Sequence, residues 1–333
     1  KRFFGVHFFN PPCQMRLVEI IPTPDTDIED LSKVSNFLNS HLGKVVVRAR
    51  DTPNFIANRL GVFSVFSLLH LMEKNNIGSG EIEALSGPLI GRPSSATLRL
   101  CDLIGIDTLR FVAQTSLNSE ASEIGRIVLQ TPKCIEQMLD KGLLGVKSNA
   151  GFYCKEDRSI MSLNLQSMEY EPFRAAKIDG LPFSPKNMVN SFSDLWDDNG
   201  VWGPVIRQHL SELLVYTCFH AESISESFFD IDQAMKYGFN WELGPFEIWD
   251  ALGKDRIEEA IQLTNSTEID WFDKFKKSAK DGLIYRSKKI PEIFNPSINS
   301  WEKVPSESAI QCSFDSSKIV QGNDGAYLWD AGD

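Results

Sequence analysis

Two polar side chains near the start of the chain have the types and placement for proton transfer. His7 lies in an apolar run over residues 3–9, and Glu19 lies in the next run, residues 16–21. Both runs are rich in aromatic and β-branched residues and are separated by Asn10-Pro11-Pro12, so they read as short strands. If the strands are neighbours, the carboxylate can orient the imidazole and fix its tautomer. The other ring nitrogen is then left to take a proton from a substrate. This is the base-and-orienter part of a hydrolase triad, without a nucleophile. Taken alone, the pair also fits a histidine packed and hydrogen-bonded in a core.

The elements that must position this pair follow from periodicity. Leu31, Val34, Leu38 and Leu42 recur at helical spacing over residues 27–42, and Gly43 stands where a helix-ending glycine belongs. Residues 44–48 read as a third strand. Strand–helix–strand is the closing edge of an α/β sheet, and three strands do not make a stable doubly wound sheet alone. From Pro53 the character changes. Residues 55–74 form a long apolar helix, followed by helices near 79–86, 95–104, 107–118 and 132–141. Residues 142–200 are rich in Gly, Ser, Asn and Pro and read as an irregular connector, with short strands at 151–154 and 160–165. Pro204 opens a second long helix to about residue 226, with Pro in an early, tolerated position. Helices near 230–237, 244–252, 254–263 and 270–280 complete the array.

An internal repeat is visible. Arg59 and Arg207, Asp102 and Asp250, and Gly105 and Gly253 are separated by one common offset. Each set occurs in the same order along a long helix, a short helix and a glycine turn, which predicts a duplicated helical domain whose copies bury their apolar faces together.

Composition narrows the function classes. The 333 residues allow two or three folding units. A net charge of −11 argues against nucleic acid as the main partner, though it leaves room for an anionic ligand in a local basic pocket. The six cysteines form no CxxC pair, so no zinc or thioredoxin-like motif is suggested and no metal is expected. No run of apolar residues is long enough to span a membrane, and no secretory signal opens the chain. A reduced, cytoplasmic setting is expected.

The string Gly5-Val6-His7-Phe8-Phe9-Asn10-Pro11, continued by Met15 and Leu17-Val18-Glu19, resembles the signature of the 3-hydroxyacyl-CoA dehydrogenase family. A second block of that family is similar to Asp51-Thr52-Pro53-Asn54-Phe55-Ile56-Ala57-Asn58-Arg59. The turn Gly244-Pro245-Phe246-Glu247 resembles one in its helical domain. The likeness covers roughly residues 1–285. It implies that His7 is the general base and that Glu19 holds it. It also implies that Asn10 and Asn58 bind substrate near the thioester or developing carbonyl, with Asn58 counted among the catalytic residues. NAD is the implied cofactor and acyl-CoA the implied substrate. The family's Gly-x-Gly-x-x-Gly loop is absent from these residues, so NAD-binding residues stay unassigned, as does the serine the family carries upstream of the histidine. Without the resemblance, Asn58 reads as a capping or early-turn residue. Arg48, Arg50 and Arg59 read as solvated charges or coenzyme A contacts.

The expected fold class is mainly α: tandem duplicated dehydrogenase C-terminal helical domains, preceded by the last strands of a truncated Rossmann α/β domain. The expected divisions are residues 1–50 for that remnant, 51–145 and 201–285 for the helical domains, 146–200 for a connector, and 286–333 for a linker. Residues 319–333 resemble the opening hairpin of an enoyl-CoA hydratase (crotonase) domain. The expected function is a piece of an NAD-dependent (S)-3-hydroxyacyl-CoA dehydrogenase of fatty-acid β-oxidation, itself inactive, from a multifunctional protein with hydratase activity. The alternatives are a non-catalytic helical pseudo-dimer module, self-associating through those domains, or a dehydrogenase of a 3-hydroxy acid without coenzyme A.

Overall fold

The computed structural model describes residues 3–95, 97–176, 178, 188–266, 269–279, 282–286, 291–304, 319–323 and 326–329. The chain opens with β1 (Phe4–Phe8), β2 (Leu17–Pro22), α1 (Ile28–Leu42) and β3 (Val45–Arg48). β2 is the middle strand, antiparallel to β1 and parallel to β3. α1 forms the crossover between the parallel pair. Asp27 accepts from the N–H groups of Glu29 and Asp30 at its start, and Gly43, at φ 61°, ends it in the left-handed region.

Side chains alternate across a strand, so β2 serves two layers. Val18 and Ile20 meet Leu31 and Leu38 of α1, whereas Leu17 and Ile21 enter the main core. Glu19 lies on the same face as those last two and is fully buried. The sheet is tied to the rest of the molecule at its third strand. The Arg48 N–H donates to the Asp230 carboxylate at 3.1 Å, and the Arg50 N–H to the Ile224 carbonyl at 2.8 Å.

The first helical array comprises α2 (Ala57–Asn75), α3 (Ser79–Ser86), α4 (Thr97–Ile104), α5 (Ile106–Leu117), α6 (Glu123–Val128) and α7 (Lys133–Asp140). It ends on an antiparallel sheet of β4 (Tyr153–Glu156), β5 (Ser159–Asn164) and β6 (Glu169–Pro172). The second array comprises α8 (Met188–Asp197), α9 (Gly203–Ile224), α10 (Phe228–Gly238), α11 (Pro245–Leu252), α12 (Lys254–Leu263) and α13 (Phe272–Ser278). It ends on β7 (Tyr285–Arg286), β8 (Glu292–Asn295) and β9 (Ser300–Lys303), again antiparallel. β10 (Ile319–Asn323) and β11 (Ala326–Trp329) form a separate hairpin.

The two arrays repeat one device. Asp102, in α4, accepts from the N–H groups of Phe152 and Tyr153 at 2.7 and 2.8 Å. Asp250, in α11, accepts from those of Ile284 and Tyr285, both at 2.7 Å. In each array a helix carboxylate thus fixes the entry of the terminal sheet. The long helices α2 and α9 are apolar on most sides because each packs against the other and is covered elsewhere by helices of its own array. Phe63 stacks on Tyr216 at 3.8 Å where they meet. Gly61 is required there, since a Cβ would stand 2.0 Å from the Phe239 ring.

Glu120, between α5 and α6, gathers the long helices around one buried charge. It accepts from Tyr216 Oη at 3.0 Å, His220 Nε2 at 2.8 Å, and the N–H and hydroxyl of Ser122 at 2.9 and 2.7 Å. The Arg59 guanidinium lies 3.7 Å away. Burial pushes the carboxyl up, but the bonds from His220 and Ser122 outweigh it and bring it down to about 2. Burial also holds the His220 imidazole below its ordinary value, against the pull of the Glu120 carboxylate it bonds.

The expected class needs correction. Among the described residues helices hold most of the regular structure, but eleven strands in four sheets are built into it as well, so the helical domains are not the whole of the architecture. The N-terminal strands are not leftovers at the margin; their middle strand is buried from both faces, by α1 and by the helical core. The supposed connector contains β4–β6 and α8; β4 and β5 lie close to the short strands expected at 151–154 and 160–165, whereas β6 and α8, with its buried Phe192, Leu195 and Trp196, carry too little periodicity to stand out from the polar residues around them. β7–β9 and the six-residue α6 escaped for the same reason. Residues 330–333, part of the tail likened to a crotonase hairpin, lie outside the described residues.

Removing the Glu120 carboxylate by Glu120→Ala leaves Arg59 buried without its partner and is expected to cost about 3–5 kcal/mol. A carboxyl held below its ordinary value of 4.5 adds stability that is complete above that pH and is lost as pH falls towards 2. The difference in urea midpoint between the natural chain and Glu120→Gln should therefore shrink below pH 4.5. A difference that is constant from pH 7 to pH 3 would contradict this.

Candidate active site

His7 and Glu19 face each other across the β1–β2 register, and His7 Nδ1 lies 2.6 Å from Glu19 Oε2. The carboxylate only accepts, so Nδ1 carries the proton and the Nε2 lone pair stays available. Nε2 has no hydrogen-bond partner among the described residues. The ring rests against Phe9, with centroids 4.7 Å apart, and Phe55, at 5.6 Å.

The other oxygen of Glu19 accepts from the N–H groups of Ile56 and Ala57, at 3.1 and 2.9 Å. These open α2, and Ile56 at its cap position has no side chain able to satisfy them. Glu19 supplies the cap from another strand, where the positive end of the helix favours its charge by about 0.3–2 kcal/mol. The approach to the helix is strained. Asn54 and Phe55 both take left-handed backbone, at φ 64° and 51°, which costs a phenylalanine about 1–2 kcal/mol. Asn54 Nδ2 holds the turn by donating to the Val112 carbonyl at 2.8 Å and Ser116 Oγ at 2.7 Å. Arg59 reaches back to the Pro53 carbonyl at 2.9 Å.

A cleft of about 770 Å³ opens beside the pair, with His7, Asn10, Asn58, Arg92 and Trp241 in its wall. Four of the residues singled out in the sequence therefore meet around one place. His7, Asn10 and Asn58 line the cleft, and Glu19 stands behind His7. The amides of Asn10 and Asn58 have no hydrogen-bond partner among the described residues. Arg59 is not available to a ligand, since it is buried against Glu120, and the Arg50 guanidinium lies 3.9 Å from Glu226. Sequence reasoning missed Arg92 and Trp241, which come from opposite arrays and share no motif with His7. It also missed the cap that Glu19 gives α2.

Residues 3–52 hold no glycine-rich cradle for a dinucleotide phosphate. Within residues 3–52 the glycines are Gly5, whose added Cβ would press on Ile21 at 3.1 Å, and Gly43, which ends α1. The N–H groups at the start of α1 are already met by Asp27. Among the described residues no group of three or more His, Cys, Asp or Glu is placed to hold a metal ion, and no helix is long and apolar enough to cross a membrane.

Glu19→Ala strands two buried N–H groups and the imidazole, and should lower unfolding free energy by about 3–5 kcal/mol. Nitrogen-15 spectra of the natural chain at neutral pH should show His7 protonated at Nδ1. A dominant Nε2–H tautomer would refute the orienting role of Glu19.

Residues 1–52 match the family model of the 3-hydroxyacyl-CoA dehydrogenase NAD-binding domain. Residues 55–155 and 205–291 both match the model of the C-terminal domain of that family. A probable 3-hydroxyacyl-CoA dehydrogenase of Bacillus subtilis is 32% identical over 99% of this chain and 42% of its own length. A putative fatty acid oxidation complex trifunctional enzyme of Rickettsia prowazekii is 30% identical over 90% of the chain, again 42% of that protein. The chain thus spans less than half the length of these relatives. The crystal structure of an Escherichia coli 3-hydroxybutyryl-CoA dehydrogenase shares the fold, with a TM-score of 0.55, covering 79% of this chain and 66% of that one at 19% identity. These matches correct the reading of residues 1–50 as a mere remnant set before the helical domains. The segment is NAD-binding-domain structure continuing into the helical domain, as one dehydrogenase-type fold. The chain belongs to the 3-hydroxyacyl-CoA dehydrogenase family.

Proposed function

We propose that this chain supplies the general base and the substrate-orienting amides of an NAD-dependent (S)-3-hydroxyacyl-CoA dehydrogenase of fatty-acid β-oxidation. The observation that carries the reading is the 2.6 Å His7–Glu19 pair, whose free nitrogen borders a cleft shared with Asn10 and Asn58. In this reading Nε2 takes the proton of the substrate 3-hydroxyl, and Glu19 stabilises the imidazolium that results. Asn10 and Asn58 donate to the thioester oxygen or to the carbonyl forming at C3, where hydrogen bonds strengthen as charge develops. NAD is the hydride acceptor of the family reaction. The residues that would hold it are not among those described, so the proton half of the reaction is what these residues explain. A purely assembling module would have no use for three cleft-facing polar groups without protein partners.

We place the reaction in a protein that also hydrates enoyl-CoA. The β10–β11 hairpin and the trifunctional relative from Rickettsia favour this. Crotonyl-CoA hydration by the whole protein containing this chain would be the expected outcome, and its absence would sink that part.

For the base itself, acetoacetyl-CoA-dependent NADH oxidation by that whole protein should fall about 10²–10⁴-fold in His7→Ala. A loss smaller than about threefold would make His7 structural and overturn the reading.

A further inference from the structure

The cleft wall contains a buried cation that the proton chemistry does not use. Arg92 is only 9% exposed, and it lies directly after the tight turn Pro88–Ile90 and Gly91, at φ 68°. Its own N–H donates to the Gly87 carbonyl at 3.1 Å, and Glu242 from the second array donates to the Gly91 carbonyl at 2.7 Å. The backbone that carries Arg92 is therefore fixed. So is the side chain: its guanidinium carbon sits 4.4 Å from the centre of the Trp241 ring, and one terminal nitrogen lies 2.8 Å from His209 Nε2.

That contact does not neutralise the charge. Burial keeps His209 well below its ordinary value, so the ring is neutral and accepts through Nε2. It then donates from Nδ1 to Ser67 Oγ at 2.8 Å, and Ser67 donates to Glu212 Oε2 at 2.6 Å. The carboxylate of this relay is thus two side chains away from the guanidinium. No ion pair among the described residues includes Arg92. Burial lowers its guanidinium to about 9, which leaves it charged at neutral pH. A desolvated charge without a counter-ion is costly unless something completes it. Arg92 and Trp241 both line the 770 Å³ cleft, so the remaining donors are accessible to a ligand there.

We propose that Arg92, held between Trp241 and His209, is an anion-binding subsite of the cleft that takes a carboxylate or phosphate of the bound acyl thioester. The inference rests on the thioester reading of the cleft and adds a specificity residue to it. The anion has two possible sources: a phosphate of the coenzyme, or a carboxylate at the far end of a dicarboxylic acyl chain. A planar guanidinium suits either, because both present paired oxygens to its fork.

Calorimetric titration of the natural chain, Arg92→Gln and Arg92→Lys with two matched ligand pairs tests this. The first pair is acetoacetyl-CoA and acetoacetyl-pantetheine, which lacks the phosphates. The second is a six-carbon 3-oxo-dicarboxylyl pantetheine thioester and its ω-methyl ester. Arg92→Gln should weaken the charged member of one pair by about tenfold or more, and its neutral partner by less than about twofold. The affected pair identifies the source, and Arg92→Lys should restore part of the loss. Melting temperatures of both variants show whether the fold is kept. Equal weakening of both members of each pair, or no weakening at all, would overturn the subsite while leaving the thioester reading intact. Failure of the natural chain to bind any of the four would overturn both.

Discussion

Glu19 is fully buried, and a buried carboxylate persists only where hydrogen bonds replace its lost hydration. Three do so here: one from the His7 imidazole and two from the first N–H groups of α2. The same atoms that fix the imidazole therefore dock the sheet on the longest helix of the first array. The geometry of the proposed base and the packing of the sheet on the helix rest on one side chain. The strained backbone at Asn54 and Phe55 is what brings the helix start within reach, and it is held by Asn54 bonding across to α5.

A second constraint keeps α2 in place along its length. Arg59 lies one residue after the cleft amide of Asn58, and it turns inward to the Glu120, Tyr216 and His220 cluster. Successive residues on a helix point about 100° apart, so an arginine fixed in the core leaves its neighbour directed to the cleft. The second array contributes through this cluster and through Trp241. It is needed for the site even though it holds none of the residues in the His7 motif. The cleft is thus a joint product of a sheet and two helical arrays.

Much of this was legible in the sequence, and the reasons are local. The apolar, β-branched run of β2, the 3.6-residue period of α1 and the long apolar runs of α2 and α9 showed their places, because an element buried on most sides is apolar throughout and α1 buries only one face. His7 and Glu19 could be paired because consecutive short strands around a proline turn tend to be neighbours. The repeat of Asp102 and Asp250 was visible as spacing, while its cause, a helix carboxylate capping the entry of a sheet, was not. β4 and β5 were legible as short strands, but β6 and the sheet β7–β9 stayed hidden because strands of two to four residues carry little period. Arg92 gave no signal, since its significance depends on what fails to surround it. The N-terminal segment lacks phosphate-binding glycines, yet the unbroken apolar run of β2 already implies a strand buried on both faces.

The most direct test of the central claim is a double-mutant cycle on His7 and Glu19, read as turnover of acetoacetyl-CoA by the whole protein. If Glu19 acts in catalysis through the imidazole, Glu19→Gln should slow the natural enzyme but add almost nothing in the His7→Ala background. Equal losses in both backgrounds would show that Glu19 merely supports the helix, and the account of the site would fail.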